Sequence, residues 1–361
     1  MDKRKLITEL QSQGLKLVNT GLGVGRKGGA GPSDHKAIAI EGTSVMIPVY
    51  NDVAERSSYT VGTNDHSLLQ KNGETIASVE FSHRPKFYDL QTADGIPYNQ
   101  IALLHSRDVL ATTVLQTCIR YSDRDTSCQF CAIEQTLQAA STIARKTPQQ
   151  LAEVAAAAVE LDGVKHLVIT TGTPNNTDRG AAYLIRCAKA VKARVDLPIQ
   201  VQCEPPDDFA WFAKMKQAGI DSLGMHLEVI EPQIRDRVMP GKAKVSVDYY
   251  FEAFTAAVEV FGWGQVSTYI LAGLGDSLST IVSTSDRLIN LGVYPFVVPF
   301  IPITGTPLVS HQPPSSDFMY AIYERVGTLL NDAGMSSQDI KAGCAKCGAC
   351  SALSVFETQE R

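Results

Sequence analysis

The 361-residue sequence contains no uninterrupted apolar run near the roughly 18–20 residues that a membrane span requires. It has no excess of positive charge either. Lys and Arg number 33 against 38 Asp and Glu, giving a net charge of -5 and no general electrostatic drive toward nucleic acid or anionic lipid. The opening stretch, Met1 to Leu10, is charged and lacks the apolar centre of a signal peptide. Internal repeats and low-complexity tracts are also absent. These absences predict a soluble protein of a reducing cytoplasm, with neither membrane nor nucleic acid as partner. The chain is 44% hydrophobic and 20% charged, which excludes a disordered tail protein. At about 150 residues per domain, the length suits two to three domains or one large barrel with additions.

Against those absences stand eight cysteines, six of them in two triplets. In a reducing compartment these are metal or redox residues before they are a disulfide framework. Cys118, Cys128 and Cys131 form a C-x9-C-x2-C, and Cys344, Cys347 and Cys350 form a C-x2-C-x2-C. A C-x2-C step lets two thiolates converge on one metal centre from a single tight turn. Structural zinc takes four Cys or His ligands. Each triplet offers three, and no His lies within ten residues of the second. Three thiolates suit a four-iron cluster with one iron lacking a cysteine. Zinc and plain thiols are the alternatives for both triplets. Cys187 and Cys203 stand alone and read as packing residues.

From about residue 110 the chain alternates short β-rich runs with helical patterns. The predicted strands are Ala111–Thr117, Lys165–Thr171, Pro198–Glu204, Ser222–Glu228, Gln265–Gly273 and Tyr294–Ile301. One intervening helix is announced by Thr147-Pro148-Gln149-Gln150, an N-cap, a first-turn proline and a capping-box glutamine, and it ends at Asp162-Gly163. A second runs from Ser246 to Phe261 and a third from Ser315 to Gly334. This alternation means βαβ crossovers and a parallel sheet, either doubly wound or curled into a partial barrel, with ligand sites at the C-terminal strand ends. Polar residues share one parity: Gln200, Gln202 and Glu204; Ser222, Gly224, His226 and Glu228; Ser267 and Tyr269. A parallel sheet covered by helices seldom has a solvated face, so that parity reads as a lumen.

On these residues the chain resembles the radical S-adenosylmethionine (SAM) enzymes over roughly residues 110–310, with a core similar to biotin synthase and lipoyl synthase. The family's loop is commonly C-x3-C-x2-C after the first barrel strand. Here the first spacer is nine residues, Ile119 to Ser127, and the C-x-aromatic-C ending is kept in Cys128-Gln129-Phe130-Cys131. Thr170-Thr171-Gly172-Thr173 stands where the family has Gly-Gly-Glu, which implies a backbone role for Thr171 and Gly172 toward the SAM amino group. His226-Leu227-Glu228 stands where related enzymes carry an acid for the SAM ribose, which implies Glu228. Arg237, with Arg235 as the alternative, matches the arginine for the SAM carboxylate; either also fits a surface salt bridge. The Gly273-Leu274-Gly275-Asp276 stretch resembles the adenine-side glycine motif, and Pro302-Ile303-Thr304-Gly305-Thr306-Pro307-Leu308 resembles the Pro-x-x-Gly-Thr-Pro-Leu that follows the sixth strand. The whole is most similar to an uncharacterised radical SAM family encoded beside nitrilases in bacterial gene clusters.

The resemblance implies a partial (β/α)6 TIM-like barrel over 109–310, an N-terminal β-containing extension over 1–108, and a C-terminal helix and auxiliary-cluster segment over 311–361. It implies a [4Fe–4S] cluster on Cys118, Cys128 and Cys131 whose fourth iron chelates SAM. Reductive cleavage then gives a 5′-deoxyadenosyl radical that takes hydrogen from a small-molecule substrate. A flavodoxin or ferredoxin-type donor would supply the electron, and Phe130 would pack beside the cluster. Cys344, Cys347 and Cys350 would hold an auxiliary [4Fe–4S] cluster, with an open iron or an unidentified ligand, and could close the barrel mouth. As sulfur donor, electron acceptor or substrate anchor, its role stays open.

The first 108 residues carry no clear family motif. Ala37–Tyr50 and Ser58–Gly62 read as strands, with turns at Glu41-Gly42 and Asn72-Gly73. Gly21 to Gly31 contains a Gly-x-Gly-x-x-Gly, but Pro32 and a strand follow where a nucleotide loop needs a helix. It reads as a flexible or substrate-covering loop in which Arg26 and Lys27 would attract an anionic substrate. His83, Arg84, Lys86 and His105 read as surface residues. Two rival functions remain: a zinc-binding scaffold without catalysis, and a dinucleotide-dependent α/β enzyme using the glycine loop.

Overall fold

The computed structural model describes residues 2–18, 33–62 and 67–357; the glycine-rich stretch Gly21–Gly31, with Arg26 and Lys27, lies outside them. Thirteen strands occur among the described residues. The first six are β1 (Lys16–Val18), β2 (His35–Ile40), β3 (Thr43–Pro48), β4 (Tyr59–Gly62), β5 (Leu68–Lys71) and β6 (Glu74–Phe81). They form one sheet in the order β1-β4-β5-β6-β2-β3, antiparallel except for the β1–β4 pair. Its hairpins turn at Glu41-Gly42 and Asn72-Gly73. All four residues have positive φ, as tight two-residue hairpin turns require.

The remaining strands are β7 (Leu103–His105), β8 (Val109–Thr113), β9 (His166–Thr170), β10 (Ile199–Gln202), β11 (Ser222–Gly224), β12 (Val266–Ala272) and β13 (Val293–Pro299). They lie side by side in the order β13-β12-β11-β10-β9-β8-β7. From β8 to β13 every pairing is parallel, so the six expected strands are present in one sheet. The sheet is curled into an open half-barrel, the mixed α/β architecture expected from the alternation. β7, which the sequence did not announce, pairs antiparallel with β8 and forms the edge. It lies within residues 1–108 yet belongs to the barrel sheet.

The strands are shorter than the sequence suggests at their C-terminal ends. The first parallel strand stops at Thr113, short of Thr117, and β11 stops at Gly224, short of Glu228. The lost residues are those that turn out of the ladder to build loops. Crossover helices begin and end where local chemistry says. Thr147 and Gln150 form the reciprocal capping box of helix Pro148–Asp162, which Gly163 ends at φ 64°. Ser246 accepts from the Tyr249 N–H to start helix Val247–Phe261, and Ser315 accepts from the Phe318 N–H to start helix Ser316–Asp332. Cys187 and Cys203 are buried in the core between sheet and helices, as packing residues. None of the described helices is long and apolar enough to cross a membrane.

One close approach determines how the loops after β8 and β9 meet. Gly172 donates its N–H to the Leu115 carbonyl at 2.9 Å, and Ile119 donates to the Thr173 carbonyl at 2.9 Å. A Cβ on Gly172 would stand 2.1 Å from the Thr117 carbonyl oxygen, a backbone atom. Gly172→Ala is therefore expected to cost about 1–3 kcal/mol, the usual range for overpacking, read as a lower urea midpoint. An unchanged midpoint would contradict this packing.

Candidate active site

The first cysteine loop leaves β8 at its C-terminal end and is clamped on three sides. The Gly172 and Thr173 backbone holds its start. At its far end the Gln129 N–H donates to the Val238 carbonyl at 2.8 Å, and the Gln129 carbonyl accepts from Leu308 at 3.2 Å. Between them Gly241 donates to the Thr126 carbonyl at 3.0 Å; a side chain there would meet that oxygen at 2.3 Å. The long spacer folds on itself: Asp123 Oδ1 accepts from the Asp125 N–H at 2.9 Å, and its carbonyl accepts from Ser127 at 2.8 Å. Nine residues are thus taken up in a turn, while Cys131 donates its N–H to the Cys128 carbonyl at 3.0 Å in the C-x2-C step. Beneath the loop, the buried Lys146 donates to the Thr113 carbonyl at 2.7 Å and to Gln116 Oε1 at 3.1 Å.

The three thiols share one electrostatic environment. Burial pushes Cys131 up to about 12, and the charges of Cys118, Glu228 and Lys242 also act on it. Burial likewise raises Cys128 well above the thiol range. Phe130 packs among Val229, Val238, Met239, Leu274 and Phe300 and also reaches the lumen.

Glu228 follows β11 with φ 64°, the left-handed region that is strained for a side-chain-bearing residue and concentrated at functional sites. Lys242 Nζ donates to Glu228 Oε2 at 2.7 Å. Burial opposes the Lys242 charge, but Glu228 outweighs it and the lysine pKa is raised. The Glu228 backbone is pinned to β12 by N–H donation to the Tyr269 carbonyl and acceptance from Leu271, each at 2.8 Å. Asp276 holds the chain just beyond, accepting from the Ile230 and Glu231 N–H groups at 2.9 Å each.

The two arginines separate clearly. Arg235 is buried and donates to the carbonyls of Leu227, Val229 and Val245 at 2.7–2.9 Å. It is occupied in bracing the loop after β11. Arg237 is exposed and donates to the Leu274 carbonyl at 3.3 Å, beside Gly275. Gly273 and Gly275 have φ 108° and 134°, conformations that favour glycine, and the Gly273 carbonyl faces His311 Nε2 at 2.8 Å. Thr171 donates to the Gly172 carbonyl at 2.8 Å, and its methyl abuts Gly180.

Sequence reasoning missed one charged cluster here. Glu204, just beyond β10, pairs with Arg120 of the nine-residue spacer, with Arg179 at 3.4 Å, and accepts from the Thr173 hydroxyl at 2.6 Å. The loops after β8, β9 and β10 are thereby tied to one buried carboxylate. Its polar parity marked Glu204 as lumen-facing, but its arginine partners come from distant loops.

A cavity of about 370 Å³ fills the lumen. Phe130 and Glu228 line one end; Cys344, Cys347 and Cys350 line the other. The C-terminal triplet does not close the mouth beside the first triplet, as the sequence suggested. Gly343 donates to His166 Nδ1 at 3.2 Å, Lys341 donates to Gln265 Oε1 at 3.0 Å, and Cys344 and Cys347 pack on Val109. His166, Gln265 and Val109 all lie at the N-terminal ends of strands, so this segment crosses the opposite end of the barrel. Cys344–Cys347 makes one helical turn, and Gly343 lies flat on Gln200, where a Cβ would stand 2.2 Å from the amide. Gln202 Nε2 lies 3.2 Å from Cys344 Sγ and donates to Gln200 Oε1 at 2.8 Å. Gln200 in turn donates to Ser267 Oγ at 3.2 Å. The lumen parity seen in the sequence is therefore the seat of the second triplet. Burial raises Cys347 to about 12 and lowers His226, which lines the cavity against Tyr269, to about 3.

Among the described residues, no three His, Cys, Asp or Glu side chains are gathered as the shell of a single metal ion. A four-iron cluster makes a different demand, since each thiolate takes a different iron. The second triplet lines the lumen on a short turn, and the clamped loop of the first triplet presents Phe130 to it; both supply the soft thiol donors that such a cluster takes.

Residues 125–288 match the Radical SAM superfamily model. The bacteriochlorophyllide c C-7(1)-hydroxylase of Chlorobaculum limnaeum is 24% identical over 343 residues, covering 90% of this chain and 83% of that protein. Methylornithine synthase superposes with a TM-score of 0.48 at 17% identity, over 71% of this chain and 75% of that one. A radical SAM methyltransferase from Sphaerobacter thermophilus superposes with a TM-score of 0.48 at 16% identity, over 79% and 78%. By its motifs and by the family match, residues 125–288 of the chain carry a radical SAM domain, the domain of enzymes that cleave SAM reductively at a [4Fe–4S] cluster.

Proposed function

We propose that Cys118, Cys128 and Cys131 hold the SAM-binding [4Fe–4S] cluster, and that a small substrate lies in the lumen between it and a second iron–sulfur cluster on Cys344, Cys347 and Cys350. The observation that carries this reading is the single cavity with one triplet's loop at each end. With a [4Fe–4S] cluster and SAM bound there, these residues would hold a group that supplies radical chemistry for hydrogen abstraction.

The chain's own residues do the positioning. Glu228, held in a strained conformation and charge-balanced by Lys242, accepts the ribose hydroxyls. Arg237 presents its guanidinium to the SAM carboxylate, while Arg235 is fully used in bracing the backbone. Gly273 and Gly275 let the adenine approach the chain. Thr171 and Gly172 combine a backbone role toward the SAM amino group with the docking of the cysteine loop. Phe130 and its apolar neighbours exclude water from the cluster side.

The cavity supports a compact, largely apolar substrate with a polar end. Val168, Leu271, Val298, Phe300 and Ile301 supply apolar wall, and Gln202, His226 and Tyr269 supply polar groups. Gln11 and Met46 from the first 108 residues complete the wall, which gives that region a part in substrate recognition. The electron comes from a flavodoxin or ferredoxin-type donor, and the setting is cytoplasmic.

Cys131→Ala is expected to abolish 5′-deoxyadenosine formation in reduced, reconstituted protein, measured by chromatography; formation at the wild-type rate would refute the assignment. The arginines should separate by readout. Arg237→Ala should weaken SAM binding at least tenfold by equilibrium dialysis with an unchanged thermal midpoint. Arg235→Ala should destabilise the fold by ~2–4 kcal/mol, because buried carbonyls lose charged donors. The reverse pattern would overturn both roles.

A further inference from the structure

Two side chains of the lumen wall have their polarity set by backbone N–H groups, which can only donate. The first is Gln202 of β10. The Cys344 N–H points at Gln200 Oε1, 3.3 Å away, and fixes that oxygen as an acceptor. Gln202 must then turn its Nε2 to the same oxygen, at 2.8 Å, and to Cys344 Sγ, at 3.2 Å. Its Oε1 is left without a partner among the described residues.

The second is His226, just beyond β11. The Tyr269 N–H points at its Nδ1 from 3.4 Å, so Nδ1 presents a lone pair. Burial, with the nearby Lys242 ammonium, lowers the imidazole pKa to about 3 and keeps the ring neutral. A neutral ring with a lone pair on Nδ1 carries its proton on Nε2. That N–H has no acceptor among the described residues. The ring itself is held edge-on against Tyr269, with centroids 4.4 Å apart.

Gly224 brings the two together. A Cβ there would stand 3.0 Å from Gln202 Cγ and 3.1 Å from His226 Cε1, so both side chains press over the same bare backbone. Both line the lumen. One offers an open acceptor and the other an open donor, side by side. Other polar groups of the wall are engaged: Tyr269 with Cys344, His35 Nδ1 with the Ser33 carbonyl at 2.5 Å, and His105 Nε2 with Cys350 Sγ at 3.5 Å. His105, which the sequence suggested was a surface residue, belongs to this wall. Nearby cations are matched as well, Lys242 by Glu228 and Arg235 by three carbonyls.

We propose that Gln202 Oε1 and the His226 Nε2–H together recognise a neutral amide edge on the substrate, an adjacent C=O and N–H as in a carboxamide or a lactam. The substrate carbonyl accepts from His226 and its N–H donates to Gln202, while the apolar wall takes the rest of the molecule. A carboxylate is disfavoured. It would set an oxygen against Gln202 Oε1, in a cavity that already holds the Glu228 carboxylate. The proposal rests on the lumen being the substrate site and names the chemistry that site selects.

The test titrates the reconstituted full chain, anaerobically and with SAM, by calorimetry against probes of nearly one shape: benzamide, acetophenone, benzoate and α-methylstyrene. Benzamide offers both groups, acetophenone the acceptor alone, benzoate a charge and α-methylstyrene neither. Benzamide should bind about tenfold more tightly than acetophenone or benzoate. His226→Phe, with its thermal midpoint as the fold control, should lose about tenfold in benzamide affinity and keep its affinity for α-methylstyrene. Should that variant fail to fold, the wild-type series carries the decision. Benzamide binding no tighter than acetophenone or benzoate, or equally tight in His226→Phe and wild type, overturns the proposal, while binding of α-methylstyrene leaves the lumen site standing. If no probe binds, the lumen is not the substrate site, and that reading and this proposal fall together.

Discussion

The absence of a side chain at Gly172 lets the loop after β9 press against the Thr117 carbonyl, and much of the active end follows from that contact. It places the start of the cysteine loop over the lumen. Thr173 then reaches Glu204, which gathers Arg120 from the cysteine spacer and Arg179 from the loop after β9. Gly241 makes a second close backbone approach at Thr126 and carries Lys242 to Glu228. The first triplet is held by neighbouring backbone on both sides, a rigid frame of the kind a reactive cofactor needs if its geometry is to be reproducible.

A half-barrel has two ends, and this chain builds on both. The C-terminal strand ends carry the first triplet, as ligand sites in parallel α/β folds do. The N-terminal ends are crossed by Asp339 to Cys350, which rests on Gln200, Gln265 and His166. The lumen between is walled by strand residues of one parity and closed in part by residues of the first sheet. Substrate held there would lie between the two proposed clusters, shielded from water by apolar side chains. This arrangement gives the N-terminal sheet and the C-terminal tail a shared purpose that neither has alone.

Local signals in the sequence were sufficient for much of this. The capping box at Thr147, the serine caps at Ser246 and Ser315, the turn at Glu41-Gly42 and the alternation of strand and helix all depend on residues a few positions apart. The lumen parity of Gln200, Gln202, His226 and Tyr269 was legible for the same reason. What depends on tertiary pairing was not. β7 is three residues long and gains its identity from β8. Glu204 draws its arginines from positions 84 and 25 residues away. His105 meets Cys350 across 245 residues. The placement of the second triplet depends on where the helix after β13 returns the chain, which no local pattern encodes.

The central claim is that the first cysteine triplet leaves one iron of its cluster open to SAM. Mössbauer spectroscopy tests it most directly, on the full chain with Cys344, Cys347 and Cys350 changed to Ala so that the first cluster is observed alone. Adding SAM should move the signal of one iron site toward higher coordination and leave the other sites where they were. A spectrum that is the same with and without SAM would contradict the account.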